Sequence, residues 1–154
     1  MTRWLTETEQ VAWRYFIDGV HRLLEHLDQS MQDNHGIPLT DFEILVHLSE
    51  APGGRLRMAE IADHVLISRS RLTYRVDRLV EAGLVVRTKD EVDKRGLFAK
   101  ITKKGTSLLE QAAATHVEDV QSHLMDHIGD DELQTFSDMW RSVADHSATL
   151  RLPF

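Results

Sequence analysis

The sequence predicts a mainly α-helical chain with a small β-hairpin, arranged as a winged helix-turn-helix between long helices at the two chain ends. Three observations predict this fold class. Residues 58–83 have helical apolar spacing on both sides of a tight turn. The next residues change to β-rich runs at 84–88 and 97–101, which are typical of a hairpin. Apolar stripes at three- and four-residue spacing then mark a long helix near each end of the chain.

The N-terminal part contains two motifs that can begin a helix. Thr6 with Glu9, and Thr40 with Glu43, each fit a capping box, in which the two side chains satisfy otherwise unpaired backbone N–H groups. We expect the first helix to start after Thr6 and to end at Gly36, and a shorter second helix to start at Thr40. After the 51–54 Ala-Pro-Gly-Gly segment, residues 55–57 have room for one short extended piece.

Residues 58–83 predict a helix-turn-helix whose second helix begins after Ser68, a good N-cap. With Val76 facing the core, a helical wheel turns one group of polar side chains outward: Ser70, Arg71, Tyr74 and Arg78. The same wheel puts Arg75 on the flank and Arg69 on the inner side. The second helix of this motif lies in the DNA major groove, where the arginine fork bonds guanine or phosphate. An ordinary helical hairpin with a solvated basic face is the alternative.

The predicted hairpin has a basic tip containing Lys89, Lys94 and Arg95. Such a tip suits the narrow minor groove next to the major-groove helix, because the negative potential there attracts arginine. Asp93 stands two residues before Arg95 and is placed to orient its guanidinium through a charge-assisted hydrogen bond. A simply solvated hairpin tip is the alternative.

The charge of the chain is unevenly distributed. Its 154 residues carry a net charge of −7, yet residues 55–104 hold 13 Lys and Arg against 7 Asp and Glu, and the remaining residues hold 5 against 18. A basic middle between acidic ends predicts an electropositive face for phosphate groups. The helices at the chain ends also have more apolar residues than a small winged domain can cover. We therefore expect a homodimer, with two recognition helices matched to a pseudo-palindromic site whose half-sites lie about 34 Å apart.

The motifs together resemble the MarR family of bacterial regulators over nearly the whole chain. The resemblance is carried by Ile61-Ala62, by residues 66–73 and 76–79, by Ala82-Gly83-Leu84-Val85, by Asp93-Lys94-Arg95, and by residues 101–105. It implies a dimeric winged helix-turn-helix regulator, usually a repressor, that is often released from double-stranded DNA by a small aromatic or phenolic effector. By position it implies DNA contacts from the following residues: Ser68, Arg69, Ser70, Arg71, Tyr74, Arg75, Arg78, Asp93, Lys94 and Arg95.

Two departures from the family pattern lie in the turn and the wing. Leu66 occupies the turn position where the family commonly has glycine, and a left-handed backbone there would cost roughly 1 kcal/mol. We therefore expect a right-handed conformation at Leu66. The proline common before the wing tip is replaced by Asp90-Glu91-Val92, so we expect a more mobile wing.

The resemblance also gives a division of the chain. Residues 1–154 form one MarR-type domain, in which residues 1–36 and 104–154 are dimerisation helices and residues 38–103 are the DNA-binding lobe. Four side chains are candidates for an effector pocket between these parts, with ordinary core packing as the alternative: Trp13, Phe16, His47 and Trp140.

Other sites are not favoured by the sequence. Among nine histidines, His116, His123 and His127 fall on one predicted helix, but without the H-E-x-x-H pattern we predict no metal site and no cofactor. With no cysteine there is no disulfide or cysteinyl metal site, and no nucleophile elbow or phosphate-binding glycine loop indicates an enzyme.

Two further functions remain as alternatives. The first is a dimeric helical ligand or metal sensor whose winged segment contacts protein, and the second is non-specific nucleoid binding. The absence of a long apolar run and of a signal-peptide core at residues 1–10 leads us to expect a cytoplasmic protein without membrane contact.

Overall fold

The fold is a winged helix-turn-helix lobe between helices from both chain ends. A computed structural model of the protein describes residues 2–89 and 97–149. In chain order, its helices and strands are α1 (Glu7–His35), α2 (Leu39–Glu50), β1 (Arg55–Arg57), α3 (Met58–His64), α4 (Arg69–Glu81), β2 (Val85–Lys89), β3 (Leu97–Ile101), α5 (Lys103–His123) and α6 (Leu133–Thr149). Single 3-10 turns lie at Pro52–Gly54 and Met125–His127. Within the described ranges, no helix is both long and apolar enough to cross a bilayer.

The ends of α1 confirm the sequence prediction, whereas the start of α2 corrects it. Thr6 and Glu9 form the predicted capping box, and Gly36 ends α1 in the left-handed conformation. The second box is wrong, because α2 starts at Leu39 with Pro38 as its N-cap. The Leu39 N–H donates to Asp28 Oδ1 of α1 at 2.8 Å. This acceptor, distant in sequence, replaces the side-chain cap that local spacing assigned to Thr40.

The turn between α3 and α4 contains an unexpected backbone conformation. Leu66 has φ +52°, so the predicted right-handed conformation is wrong. The Ile67 N–H donates to the Ala62 carbonyl at 3.2 Å, which is the six-to-one bond of a Schellman helix end. This bond places Leu66 at the position that takes the left-handed conformation. The geometry of the turn therefore overrides the preference of the residue.

A small antiparallel sheet completes the lobe. Strand order is β1-β3-β2, so the predicted extended piece at 55–57 joins the hairpin as a third strand. The hairpin register pairs Val85 with Ile101 and Lys89 with Leu97. One apolar core extends from the C-terminal half of α1 through the lobe to α5, and its best-covered side chains include Met31, Ile44, Leu45, Leu48, Ile61, Leu72, Val76, Leu79 and Val85.

The C-terminal helices differ from the predicted pattern at one point. The apolar spacing predicts one helix through Ile128, but α5 ends at His123, and Leu124 leaves the helical region with φ −134°. A 3-10 turn follows immediately, and the stripe residues Leu124 and Ile128 lie on either side of it. Spacing alone therefore does not distinguish a continuous helix from a helix followed by such a turn. No residue of α6 is buried among those the structure describes.

Candidate nucleic-acid interface

The outward face of α4 carries polar and cationic side chains. Leu72, Val76 and Leu79 are buried and fix the rotation of the helix. This rotation leaves four residues exposed, as the helical wheel predicts: Ser70, Arg71, Tyr74 and Arg78. Tyr74 is 61% exposed, a high value for a large aromatic residue. Such a face presents hydrogen-bond donors and a planar ring to whatever lies against the helix.

The first turn of α4 is held by Ser68. Its hydroxyl accepts a hydrogen bond from the Arg71 N–H at 3.3 Å, and it lies 3.1 Å from the Ser70 hydroxyl. The predicted N-cap is therefore confirmed, and the half-buried Ser68 serves the helix itself. Arg69 is exposed, contrary to the inner side that the wheel assigned to it. A residue at the first position of a helix has no preceding turn to cover it, which explains the difference.

Arg75 differs from the exposed residues of α4. It is half-buried, and its Nη1 lies 3.7 Å from Oδ1 of Asp41 on α2. Asp41 is only 5% exposed, and in the described part of the chain this oxygen has no hydrogen-bond partner. Sequence reasoning missed this residue, because an acidic side chain in the first turn of a helix ordinarily faces solvent. The pair joins the recognition helix to the helix behind it.

The carboxyl group of Asp41 has an unusual acidity. Burial raises its pKa to about 6, and the nearby Asp28 carboxylate adds to that effect. The Arg75 and Arg78 guanidinium groups oppose the increase, since they favour the charged form. Desolvation is the largest cause, so the group titrates near neutral pH.

Two sets of contacts position α4, one from strand β2 and one from the start of α5. Arg87 of β2 forms an ion pair with Asp77 and donates to the Thr73 carbonyl at 3.4 Å. At the other end of the helix, Lys104 donates to the Ala82 carbonyl at 2.7 Å and Thr102 donates to the Gly83 carbonyl at 2.8 Å. These bonds satisfy carbonyl groups that a helix end leaves without partners.

The basic tip of the hairpin falls in the gap between the described ranges. Asp93, Lys94 and Arg95 lie outside the described residues. Lys89 is exposed at the last position of β2.

The four predicted effector residues do not form one pocket. Trp13, Phe16 and Trp140 stack in a row, with ring centroids 5.7 Å and 4.8 Å apart. Phe16 and Trp140 line a cavity of about 560 Å³ between α1, the end of α5 and α6. His47 stacks on His64 and lines a second cavity of about 300 Å³ between α2 and α5.

The second cavity has a mixed lining. Phe42, Val46 and Val117 supply apolar surface, whereas Glu43 and His116 supply polar groups. Burial raises the pKa of Glu43 and lowers that of His116, although the Asp119 carboxylate acts against the latter change. Nδ1 of His116 is buried and has no hydrogen-bond partner among the described residues. The hydrogen-bonding capacity of this ring nitrogen is therefore unused within the described part of the chain.

The three histidines weighed together in the sequence are separated in the structure. The His116 ring packs on Phe42, and the His123 ring packs on His26 of α1. His127 lies in the 3-10 turn beyond α5.

Comparison with known proteins gives one consistent family. The model described as "MarR family" matches residues 35–96. AbsC, a MarR family transcriptional regulator from Streptomyces coelicolor, is 37% identical, superposes with a TM-score of 0.91, and the match covers 96% of this chain and 99% of AbsC. Sco3205, a MarR family regulator from the same organism solved in complex with DNA, is 38% identical with a TM-score of 0.91, covering 95% of this chain and 91% of Sco3205.

A curated relative agrees with the structural matches. The transcriptional regulator MhqR of Bacillus subtilis is 27% identical over 122 residues, which are 77% of this chain and 79% of MhqR. The resemblance carried by the recognition helix and its flanking motifs is therefore confirmed by sequence and by structure. The chain belongs to the MarR family of transcriptional regulators, with the winged-helix DNA-binding fold of that family.

Proposed function

We propose that this protein is a homodimeric, sequence-specific repressor that binds a pseudo-palindromic operator and is released by a small aromatic effector. The observation that carries the proposal is the exposed, arginine-bearing face of α4 on a winged helix similar to one solved with DNA. The concentration of positive charge in residues 55–104 supports it, because phosphate contacts supply much of the affinity for DNA.

The exposed residues of α4 are assigned different tasks. Arg71, in the first turns of the recognition helix, reads base edges in the major groove, and Tyr74 and Ser70 contact the same groove. Arg69 and Arg78 bind phosphate, and Ser68 holds the start of the helix. Arg75 supports the helix through Asp41, since its guanidinium is directed to that carboxylate. In the wing, Lys94 and Arg95, oriented by Asp93, reach the minor groove.

The chain ends form the dimer. Large apolar side chains are exposed along α1 as far as Leu24 and along α6: Val11, Trp13, Tyr15, Leu24, Met139 and Val143. Exposed apolar side chains in this number on two helices favour a protein interface. Residues 1–36 and 104–154 are accordingly the dimerisation segments, and residues 38–103 are the DNA-binding lobe.

The effector binds in the cavity between α2 and α5. This cavity lies between the lobe and a dimerisation helix, so a ligand there changes how the recognition helix is held relative to the dimer. Phe42 and Val46 offer apolar surface, and His116 carries a ring nitrogen with no hydrogen-bond partner among the described residues. An aromatic molecule with one polar substituent fits this lining.

Operator binding tests the DNA-binding part of the proposal. Duplexes selected from genomic fragments are titrated by fluorescence anisotropy against wild type, Arg71→Ala and Arg22→Ala. We expect Arg71→Ala to weaken operator binding by about 1–3 kcal/mol and to relax specificity. Arg22→Ala is the matched control, because Arg22 is exposed on α1 and forms an ion pair with Asp18, one turn earlier on the same helix.

The salt dependence separates the competing functions. Affinity should fall steeply as salt rises, because DNA binding releases counterions. No affinity at low salt would instead favour a module that contacts protein. Equal affinity for every duplex would favour non-specific nucleoid binding. Equal binding by wild type and Arg71→Ala would remove the assignment of the recognition helix.

The oligomeric state tests the assignment of the chain ends. Analytical ultracentrifugation of Val143→Glu should show a dimer weakened by more than about 10-fold, since the substitution places a charge in an apolar interface. Val86→Glu is the control, because Val86 is similarly exposed but lies on β2 of the lobe. A monomeric wild type, or equal weakening by both substitutions, would contradict the assignment.

Effector release has its own test. Candidate phenols and aromatic acids are added to the operator complex of wild type and of His116→Ala. A compound that releases wild type should act on His116→Ala only at concentrations about 10-fold higher, since one buried hydrogen bond is lost. Equal potency on both proteins would place the effector elsewhere. Repression itself has a separate measurement, since higher promoter activity in a strain that lacks the gene would support it.

A further inference from the structure

Two histidines and an aspartate come together between α1 and α5. His26 belongs to α1, and Asp119 and His123 belong to α5, where their i, i+4 spacing puts them on one helix face. One potential ligand atom from each residue lies within 4.8 Å of the other two. The ring centroids of His26 and His123 are only 4.0 Å apart. Helix packing, which the sequence does not show, creates this group.

The Asp119 carboxylate is not satisfied by the groups around it. Its Oδ1 lies 3.7 Å from His26 Nε2, which is beyond hydrogen-bonding distance. Its Oδ2 is buried and has no hydrogen-bond partner within residues 2–89 and 97–149. Buried carboxylate oxygens normally have partners. The lone pairs of this carboxylate are therefore available to a cation.

The surroundings leave space for an ion. A cavity of about 170 Å³ adjoins the two imidazoles and is lined by Gly19, Arg22, Leu23, His26 and His123. Arg22 is the cationic side chain of this lining, and its guanidinium donates to Asp18 at 2.9 Å. That pairing offsets a charge that would otherwise oppose a metal ion.

We propose that His26, Asp119 and His123 bind a divalent transition-metal ion, Zn²⁺ being the best match. Two imidazole nitrogens and one carboxylate oxygen are a typical zinc ligand set, and water completes a tetrahedron. The same set is unsuited to Mg²⁺, which prefers six oxygen ligands. The bound ion cross-links α1 to α5. Because His123 also lines the cavity shared with Trp140, ion binding is coupled to the packing of α6. The site does not depend on the proposed DNA binding.

Zinc titration tests the site directly. Full-length, tag-free protein is dialysed against a chelator and then titrated with ZnCl₂ in a calorimeter. We expect one ion per chain. Asp119→Asn and His123→Ala should each lower the zinc affinity by about 100-fold or more, because removing a ligand should cost at least as much as removing a residue that only hydrogen-bonds to a ligand. His127→Ala and His21→Ala are matched controls from the same two regions of the chain and should bind zinc like wild type.

Thermal unfolding provides an independent measurement. Zinc should raise the melting temperature of wild type and of both controls, because a ligand of the folded state stabilises it, and MgCl₂ should not. A site variant that melts lower than wild type in zinc-free buffer is destabilised even without zinc. In that case His26→Gln is compared with wild type instead, because His26 is at a more exposed position. Loss of the zinc response in that variant supports the site.

Three results would overturn the proposal. They are the absence of stoichiometric zinc binding, an equal loss of affinity in His127→Ala and His123→Ala, and an equal thermal response to ZnCl₂ and MgCl₂. In each case His26 and Asp119 would be a simple surface pair packed against a neighbouring ring.

Discussion

The lobe buries most of its large apolar residues, whereas the chain ends expose many of theirs. In the lobe, Leu45 and Val76 are fully buried, and the exposed positions of α4 are mainly polar. In α6, Met139 and Val143 are exposed, and no described residue of that helix is buried. The N-terminal half of α1 resembles α6 in this respect, whereas its C-terminal half enters the common core through Leu27 and Met31.

This difference separates a part that folds around a buried core within one chain from a part whose apolar surface stays exposed. The lobe buries most of its large apolar side chains in one core with the C-terminal half of α1 and with α5, so its geometry, including the position of α4, is fixed within one chain. The ends expose apolar surface at helical spacing, and in the proposed function this surface is covered by a second copy. That proposal assigns DNA recognition and assembly to separate parts of the sequence.

The largest expected effect tests the lobe core. Leu45 is 0% exposed, and Leu45→Ala should lower the free energy of unfolding by about 2–5 kcal/mol, because it removes buried methyl groups and leaves a cavity. Chemical denaturation followed by circular dichroism measures the change. The loss should be the same at every protein concentration, since Leu45 lies inside one chain.

Val143→Ala is the matched substitution in the chain ends. Val143 is 48% exposed, so at concentrations where the monomer predominates its truncation should change the unfolding free energy by less than about 0.5 kcal/mol. The cost should increase at high concentration, where dimerisation contributes to stability. Equal, concentration-independent losses for both variants would contradict the division into a self-sufficient lobe and partner-dependent ends.

The next effect concerns the buried charge of the lobe. Since burial raises the pKa of Asp41 from 3.8 to about 6, the folded state binds the proton more tightly than the unfolded state. The resulting stabilisation is fully present below pH 3.8 and is lost as pH rises through 6. Between pH 4 and 7, wild type should lose on the order of 1–3 kcal/mol relative to Asp41→Asn, measured by denaturation at each pH.

Asp18 in the chain ends provides the contrast. It is exposed, and a hydrogen bond from Arg22 lowers its pKa. The stabilisation of the folded state by its charged form is therefore present at neutral pH and is lost on acidification. Asp18→Asn should therefore change the pH dependence in the opposite direction and only slightly. If wild type and Asp41→Asn show parallel curves, the carboxyl group is not desolvated as the structure indicates.

Local rules predicted much of the fold but not the contacts between elements. The caps at Thr6 and Ser68 are confirmed, because each depends on residues within three positions. The cap at Thr40 is wrong, because the acceptor for the start of α2 comes from Asp28 on another helix. Tertiary packing also determined the Asp41–Arg75 pair.

The candidate sites also divide into residues that local rules predict and residues that only contacts between elements bring together. The outward residues of α4 were predicted, since one helix and one buried face determine them. The residues proposed for an effector pocket were placed in two cavities, because His47 and Trp140 lie on helices whose relative positions no local pattern specifies. His26 was missed for the same reason, since its neighbours are far away in sequence.

The smallest expected effect tests the strained turn of the lobe. Leu66 has φ +52° and is 72% exposed, so it contributes little packing to offset a backbone conformation that is costly for a side chain with a Cβ. Leu66→Gly should stabilise the protein by up to about 1 kcal/mol, because relief of that strain exceeds the entropy that glycine loses on folding. Denaturation measures the gain.

Leu66→Ala separates strain from the loss of an exposed side chain. It keeps the Cβ and therefore the strain, so its stability should remain near that of wild type. Equal stabilisation by alanine and glycine would show that the exposed leucine side chain, and not the backbone, is the source of the cost. Destabilisation by glycine would mean that Leu66 packs in the turn more tightly than its exposure indicates.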